Sequence, residues 1–382
     1  MKVAIIGLGE RIATVFLNLK AVAGDKISLV GWADPVEQPY GLQRFTEAGQ
    51  AFTDHREMLR VLKPDAVMIG SPNHLHLEHI ADSLAAGCRV FSEKPVVITP
   101  EQSWVAAELL RTYGQDRFIV GLVLRCSRVF RSAMAHVQSG ELGKQVSMEA
   151  NEHLHPEHGG FITRNWRRHD KYSGGHLLEK CCHDIDLLQA ILGGRVLKAA
   201  SFGGRSIFTP ANAAQATTDS RYRTWRGGWE GTNESPFTVD GDVLDHQVFI
   251  AEMEGGARLT FHANNHSTSQ RRWRLCGTKG VWDSDFATGH TRTQDAFGEA
   301  VEVVPSTAGG GHYGSDEAMA KDLAATWLEG KPFPVPTRAA IEAGLAAMGI
   351  DQARREGRIF DLAPWWQKLD AILGSQRAAN HA

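Results

Sequence analysis

Short β-branched apolar runs alternate with stretches of helical spacing over the first 122 residues, and that alternation leaves few folds open to the chain. The runs fall at residues 2–6, 27–33, 65–70, 88–92 and 117–122, while 74–86 and 101–113 carry Leu, Ile and Ala at helical intervals. Strands separated by helices pair in parallel, because each crossover returns the chain to the same end of the sheet. A doubly wound parallel sheet over residues 1–122 follows. The pattern then changes: a helix near 128–138 and a turn at Gly140–Gly143 lead into strand-like alternation, including 146–154, 246–253 and 257–263. The last two read as a hairpin through Gly255 and Gly256. Residues 204–242, rich in Gly, Thr, Asn and Pro, read as long loops, and helical spacing returns at 315–329 and 337–356. Residues 123–382 are expected to form the second domain.

Lys2-Val3-Ala4-Ile5-Ile6 runs straight into Gly7-Leu8-Gly9-Glu10-Arg11 and a helical pattern. A strand, a tight glycine turn and a helix N-terminus place backbone N–H groups and the positive helix end where a pyrophosphate can sit. The third fingerprint position carries Ile12 in place of Gly or Ala, which keeps the helix from packing as close to the strand. The second strand ends at Asp34, near the spacing at which an acid receives the hydroxyls of an adenosine ribose. Pro35, Val36 and Glu37 come next and no Arg follows, so the pattern favours NAD over NADP. The competing reading is that Asp34 only opens a turn with Pro35.

With 41 basic and 44 acidic residues the chain gives no reason to expect nucleic acid or a membrane surface. The N-terminus enters the first strand without a signal-like segment, no run approaches the length of a membrane span, and the five cysteines are an odd, mostly scattered number. A soluble, cytoplasmic chain with reduced thiols is the expectation.

Chemistry concentrates in two stretches. Ser92-Glu93-Lys94-Pro95 stands where a parallel strand should end, and Gly174-Gly175 leads into Glu179, His183 and Asp186, which fall at i, i+4 and i+7 on one helical stripe. A lysine facing an acid and an imidazole is proton-transfer equipment; a buried structural network is the alternative, most of all for Asp186. His153 and His155 share one face of a strand and are candidate substrate contacts, with His158 following; a metal is not expected, since hydride chemistry needs none and no cysteine pair has zinc-site spacing. Arg164, Trp166, Arg167 and Tyr172, with Arg168, precede the second stretch, where an aromatic ring beside guanidinium groups suits a sugar face and an anionic substituent. Cys181 and Cys182 read as packed thiols, and Trp365 and Trp366 as packing anchors.

These residues together resemble the Gfo/Idh/MocA oxidoreductases over nearly the whole chain. The likeness rests on the glycine turn, on Ser71-Pro72-Asn73 with His76, on Glu93-Lys94-Pro95, on the run from Gly174 to Asp186, and on Arg125 with the turn at Gly140–Gly143. It implies an α/β protein: a Rossmann domain followed by a larger α/β domain on an open, mostly antiparallel sheet, commonly the surface of a homodimer or homotetramer. It also implies NAD and a small carbohydrate or polyol substrate, with Lys94 and His183 as the proton-transfer pair and Glu179 as the acidic member. Ser71, Asn73, His76 and Glu93 would lie along the cofactor with Gly7 through Ile12 and Asp34. Arg125, Lys180 and His312, the last in Gly311-His312-Tyr313-Gly314, would reach the substrate. Glu179 and Lys180 depart from the pattern, which usually has Asp followed by a small or aliphatic residue. The expected activity is hydride transfer between a secondary hydroxyl of a sugar, sugar acid or cyclitol and the nicotinamide ring. The alternatives are an NAD-holding glycoside hydrolase that oxidises a ring hydroxyl, eliminates, hydrates and reduces again, and a dinucleotide-binding sensor without catalysis.

Overall fold

The computed structural model describes residues 1–214, 235–305 and 311–375, so part of the expected loop region, 215–234, lies outside the described residues. The chain forms two compact units, one of Met1–Cys126, Gly310–Gly344 and Lys368–Ala382, the other of Ser127–Gly309 and Leu345–Gln367. A single change of domain at 122–123 therefore does not describe it. Two later segments, 310–344 and 368–382, return to the first unit, where a late helix packs on the first helix of the chain.

The first unit holds β1 (Lys2–Ile6), β2 (Ser28–Ala33), β3 (Gln50–Phe52), β4 (Ala66–Ile69), β5 (Arg89–Ser92) and β6 (Phe118–Val120), all parallel, in the order β3-β2-β1-β4-β5-β6. β4 is buried along its whole length, as expected of a central strand covered on both faces, and this is why it reads as a continuous apolar run. The helices are α1 (Glu10–Ala23), α2 (His55–Leu62), α3 (His76–Ala85) and α4 (Pro100–Tyr113). β3 and α2 are absent from the sequence reading. β3 is three residues long with only Phe52 buried, and α2 is announced mainly by its cap, Asp54, which accepts from Glu57 N at 2.9 Å. Strand order reverses between β1 and β4, and the crevice outside their carboxyl ends is where such sheets bind ligands. Gly7 and Ser71 stand at those ends.

The second unit contains α5 (Arg128–Gln138), β7 (Gln145–His153), α6 (Pro156–Ile162), α7 (Asp170–Ser173), α8 (His176–Ile191), β8 (Val196–Gly204), β9 (His246–Met253), β10 (Arg258–Asn264), β11 (Arg272–Gly277), β12 (Gly280–Asp285), β13 (His290–Asp295), β14 (Ala300–Pro305) and β15 (Phe360–Asp361). The strands build a nine-stranded sheet, β14-β13-β12-β11-β7-β10-β9-β8-β15, antiparallel except between β7 and β10. One face is packed with Trp273, Leu275, Trp282 and the stacked rings of Phe249 and Phe261. Every residue of α8 except Lys180 is buried. Trp366 is an anchor as expected, its indole donating to Val196 O at 2.7 Å.

The remaining helices are α9 (Ser315–Glu329), which packs on α1, α10 (Thr337–Glu356), shared between the units, and α11 (Ala363–Leu373). Among the described residues no helix is long and apolar enough to cross a membrane.

Candidate active site

The glycine loop is built for a ligand rather than for its own packing. Gly7 has φ +75, and a Cβ there would overlap the backbone of Ser71, so this glycine serves the strand-to-turn geometry. A Cβ on Gly9 would meet nothing nearer than Gly70 O at 3.9 Å, so the space beside it is open to a ligand. Gly9 also caps α1 without a side-chain hydrogen bond, which leaves the first N–H groups of the helix for an anion. The misfit expected at Ile12 is resolved from the other side. Gly70 closes β4 there, and a Cβ on it would come within 2.5 Å of Ile12 Cβ, so the missing glycine of the helix is supplied by the strand.

Asp34 accepts from Leu8 N at 2.9 Å and from Val36 N at 3.0 Å. It is thus fastened to the loop and keeps carboxylate lone pairs for two hydroxyls. Burial raises its pKa against these two hydrogen bonds. These residues fit an adenosine ribose and a pyrophosphate. The Arg11 side chain serves another purpose, donating to Glu93 Oε1 at 2.9 Å and to Asp316 Oδ1 at 2.7 Å.

Lys94 is half-buried just past β5, and its main-chain N donates to Glu93 Oε2 at 3.2 Å. Ser71, Asn73 and Glu93 are buried in the same unit. His76 lies beneath these loops, 1% exposed, with Nδ1 at 2.7 Å from Pro95 O and Nε2 at 2.9 Å from Ser71 O. It is a strut between the two loops, not the cofactor contact the sequence suggests. Next to it, His79 Nδ1 meets Ser71 Oγ at 2.9 Å, and burial, with His55 and His76 nearby, holds its imidazole down at about 3. A histidine kept neutral in the fold stabilises it above the ordinary value near 6.5 and loses that contribution as pH falls toward 3. Stability measured by urea unfolding should drop by a few kcal/mol between pH 7 and pH 4, and His79→Gln should flatten the curve. An equal slope in the variant would assign the effect to other groups.

Among the described residues, His55, Glu78 and Asp82 bring three ligand-type atoms within 4.8 Å of one another. Arg56 already holds both carboxylates, at 2.6 Å from Glu78 and 2.9 Å from Asp82, and His55 is 2.8 Å from Asp82, so the group is an ion-pair cluster.

In the second unit α8 presents two polar faces. Glu179 and His183 are 7% and 6% exposed, and Asp186 is 1% exposed. Arg167 Nε donates to Glu179 Oε1 at 2.8 Å, while its guanidinium lies 4.2 Å from the Trp166 ring and 4.5 Å from the Phe161 ring. The sequence reading gave Arg167 to an anionic substrate group; its charge is instead spent on Glu179 between two aromatic faces. Lys180 likewise does not reach for substrate, its ammonium standing 3.1 Å from Glu152. Arg271 also pairs with Glu152, and its Nε is 2.9 Å from Asp184 Oδ1, which makes a quartet of two acids and two bases, buried except for the half-buried Lys180. Burial opposes the charge on Glu152, yet Arg271 and Lys180 hold it below the usual carboxylate range, whereas burial pushes Asp184 up to about 7.

His153 is a further correction. In β7 the buried positions are Met148, Ala150 and Glu152, and Glu152 is the one that faces α8, so period-2 geometry puts His153 on the opposite face of the sheet, near His262. His155 is exposed at the start of α6. Arg164 is buried, Trp166 and Tyr172 are half-buried in the segment before α8, and Arg125 is half-buried in the first unit. Cys181 is fully buried, which raises its thiol well above the ordinary value and suits packing rather than nucleophilic use. Asp316, Glu152, Asp184 and Arg271 were not found by sequence reasoning, because each acquires meaning only through a partner distant in the chain.

Residues 1–121 match a family profile described as oxidoreductase family, NAD-binding Rossmann fold, and residues 130–283 match the GFO/IDH/MocA C-terminal domain. YteT of Bacillus subtilis is 27% identical over 318 residues, 70% of this chain and 73% of that protein. D-glucoside 3-dehydrogenase of Escherichia coli is 27% identical over 209 residues, 53% of this chain, which spans 57% of the length of that relative. Among solved structures, a levoglucosan dehydrogenase in complex with NADH and levoglucosan superposes with TM-score 0.74 at 16% identity, covering 95% of this chain and 99% of the other, a likeness of fold. With matching profiles over residues 1–121 and 130–283 and a glycine loop shaped for a dinucleotide, the protein belongs to the Gfo/Idh/MocA family of NAD-binding oxidoreductases.

Proposed function

We propose that the protein is an NAD-dependent dehydrogenase that oxidises a secondary hydroxyl of a neutral sugar or cyclitol. The observation that carries this reading is a lysine, Lys94, just past the carboxyl end of a strand in a sheet whose glycine loop fits a dinucleotide. NAD held there supplies the hydride acceptor. Lys94 stabilises the developing alkoxide, His183 accepts the hydroxyl proton, and Glu179, pinned by Arg167, orients the imidazole or a neighbouring hydroxyl. The names of the glucoside and levoglucosan dehydrogenases support a carbohydrate substrate. Neutrality is favoured because Arg167 and Lys180 already have carboxylate partners.

The test is to incubate the purified protein with NAD and a panel of glycosides, sugar acids and cyclitols. Stoichiometric NADH from a neutral member is the expected result. Aglycone release with NAD returned unchanged would assign the redox-neutral hydrolysis, and tight NAD binding with no turnover would assign a sensor. Asp34 implies that NAD binds at least about tenfold more tightly than NADP, roughly 1.4 kcal/mol, since a carboxylate bonded to the loop repels a ribose phosphate. Titration monitored by cofactor fluorescence checks this, and equal affinities would reduce Asp34 to a turn residue.

The same reading includes a homodimer or homotetramer formed through the open sheet face. Phe202 and Ile250, on adjacent strands, are 79% and 58% exposed there, an apolar pair that such a contact would cover. Five cysteines that form no disulfide support a reducing, cytoplasmic setting.

A further inference from the structure

We infer that Arg11 is a positioning residue for Lys94: from the first turn of α1 it grips Glu93, and Glu93 in turn holds the main chain at Lys94. The helix end that the glycine loop offers to the cofactor and the segment that carries the lysine are thereby kept in one register. This rests on the dehydrogenase reading above. The bonds form a continuous chain within the first unit. Arg11 Nε donates to Glu93 Oε1 at 2.9 Å, and Glu93 Oε2 accepts from the Lys94 main-chain N at 3.2 Å. The main chain of Glu93 is itself tied to the end of β4, its N donating to Ile69 O at 2.9 Å. On the other side Arg11 Nη1 donates to Asp316 Oδ1 at 2.7 Å, in the first turn of α9. His312, expected at the substrate, is bonded there, its Nδ1 3.0 Å from Asp316 Oδ2.

By local rules Arg11 is out of place. A cation in the first turn of a helix meets the positive end of the macrodipole, where acids are favoured. Partners from elsewhere must offset this, and there are two, the buried carboxylates of Glu93 and Asp316, 82 and 305 positions away. Burial opposes the charge on Arg11, yet the two carboxylates outweigh it and raise its pKa above the ordinary value. Burial opposes the charge on Asp316 as well, but the hydrogen bond from His312 and the charge of Arg11 hold its carboxyl at about 2. Arg11 and Asp316 therefore stay charged across the neutral range, and a bond between two ions is both stronger and more directional than a neutral one. The guanidinium reaches its two carboxylates through different nitrogens of one rigid plane, which a lysine ammonium cannot imitate. Gly311 leaves room for this, since a Cβ there would overlap Asp316 Oδ2. A residue that breaks a local preference and is supported from two distant segments marks a functional constraint.

What the chain of bonds fixes is where Lys94 begins. Without Arg11, Glu93 Oε1 loses its cation in a buried place, and the carboxylate turns to other donors and loosens from Lys94 N. A lysine misplaced by about 1 Å costs about 100-fold in rate, because it must meet the reacting oxygen at hydrogen-bond distance. Cofactor binding at the start of α1 uses main-chain N–H groups, which a change of side chain at position 11 leaves in place.

Single-turnover NADH formation, with NAD and the sugar or cyclitol saturating, tests this in Arg11→Met, Glu93→Gln and the double variant. The rate should fall about 10- to 100-fold in each single variant, and the double variant should be no slower than the slower single, because both changes cut the same link. NAD affinity of Arg11→Met should stay within about threefold of wild type. Arg11→Lys keeps the charge and gives the same comparison where Arg11→Met does not fold; its rate should also fall, since one ammonium cannot span both carboxylates. An arginine that only holds the fold would lower the urea midpoint and leave the rate of the folded, saturated protein at the wild-type value. That result, defects that multiply in the double variant, or a loss confined to NAD affinity would each overturn the positioning role while leaving the dehydrogenase in place. Wild-type protein that forms no NADH from any sugar or cyclitol would remove both.

Discussion

Lys94→Met and His183→Ala are each expected to slow the chemical step by about two to four orders of magnitude, with NAD affinity nearly unchanged. Their losses should not multiply. In the mechanism proposed above, a positive lysine that steadies the alkoxide and an imidazole that takes its proton would act on one transition state, so removing either would leave the other without its task. The double variant should be about as slow as the slower single variant. Single-turnover absorbance of NADH, with cofactor saturating, isolates the chemical step, and fluorescence titration gives NAD affinity. Multiplicative defects would mean that the two residues serve separate steps. A large loss of NAD affinity in Lys94→Met would make Lys94 a cofactor residue first.

The features that were legible in the sequence are those whose physics is local. Lys2 through Gly9 announces a strand, a turn and a helix start within eight consecutive residues, and Ser92-Glu93-Lys94-Pro95 marks a strand end in the same way. β4, buried along its whole length, and β1, buried from Val3 to Ile6, read as apolar runs because both faces are covered. β3 escaped because three residues with one buried side chain carry no period. The antiparallel sheet was legible as a class, but its pairing of β7 with β10 in parallel was not, since more than a hundred residues separate those strands.

What escaped at the site was partnership. Arg167 looked like an anion receptor because a sequence shows a charge and hides its counter-charge; Glu179 was already in view, but not that the two meet. Arg11 looked like part of the phosphate loop, and its true ties are to Glu93 and to Asp316, 305 positions away. His153 and His155 were expected to share one strand face, but β7 ends at His153 and His155 caps α6, and parity alone does not say which face of β7 meets α8. Glu152, one residue earlier, settles that. The departure at Lys180 was noticed, and its cause is that Glu152 lies under α8 and needs a cation.

Arg271→Met should be the most damaging substitution for the fold, at about 3–5 kcal/mol, because it strips the chief counter-charge from two carboxylates that cannot reach water. Glu152 would keep Lys180, at 3.1 Å, whereas Asp184, with no exposed surface, would lose its closest cation. The loss should therefore be mostly recovered by Arg271→Met/Asp184→Asn, which removes one charge of each sign and leaves the Lys180–Glu152 pair intact. Asp184 also fixes the sign of the pH dependence. Its carboxyl is raised to about 7 from 3.8, so the fold prefers the protonated form, and stability is lost as pH rises through that range. In Arg271→Met the Asp184 carboxyl has less reason to ionise. The variant should be closest to wild type at pH 6 and furthest from it at pH 8, and the double variant should show no such slope. Urea unfolding of the three proteins at both pH values measures all of this. If Arg271→Met costs under 1 kcal/mol, or if adding Asp184→Asn makes matters worse, the quartet is not held by the charge balance described here, and apolar packing of α8 would have to account for its burial.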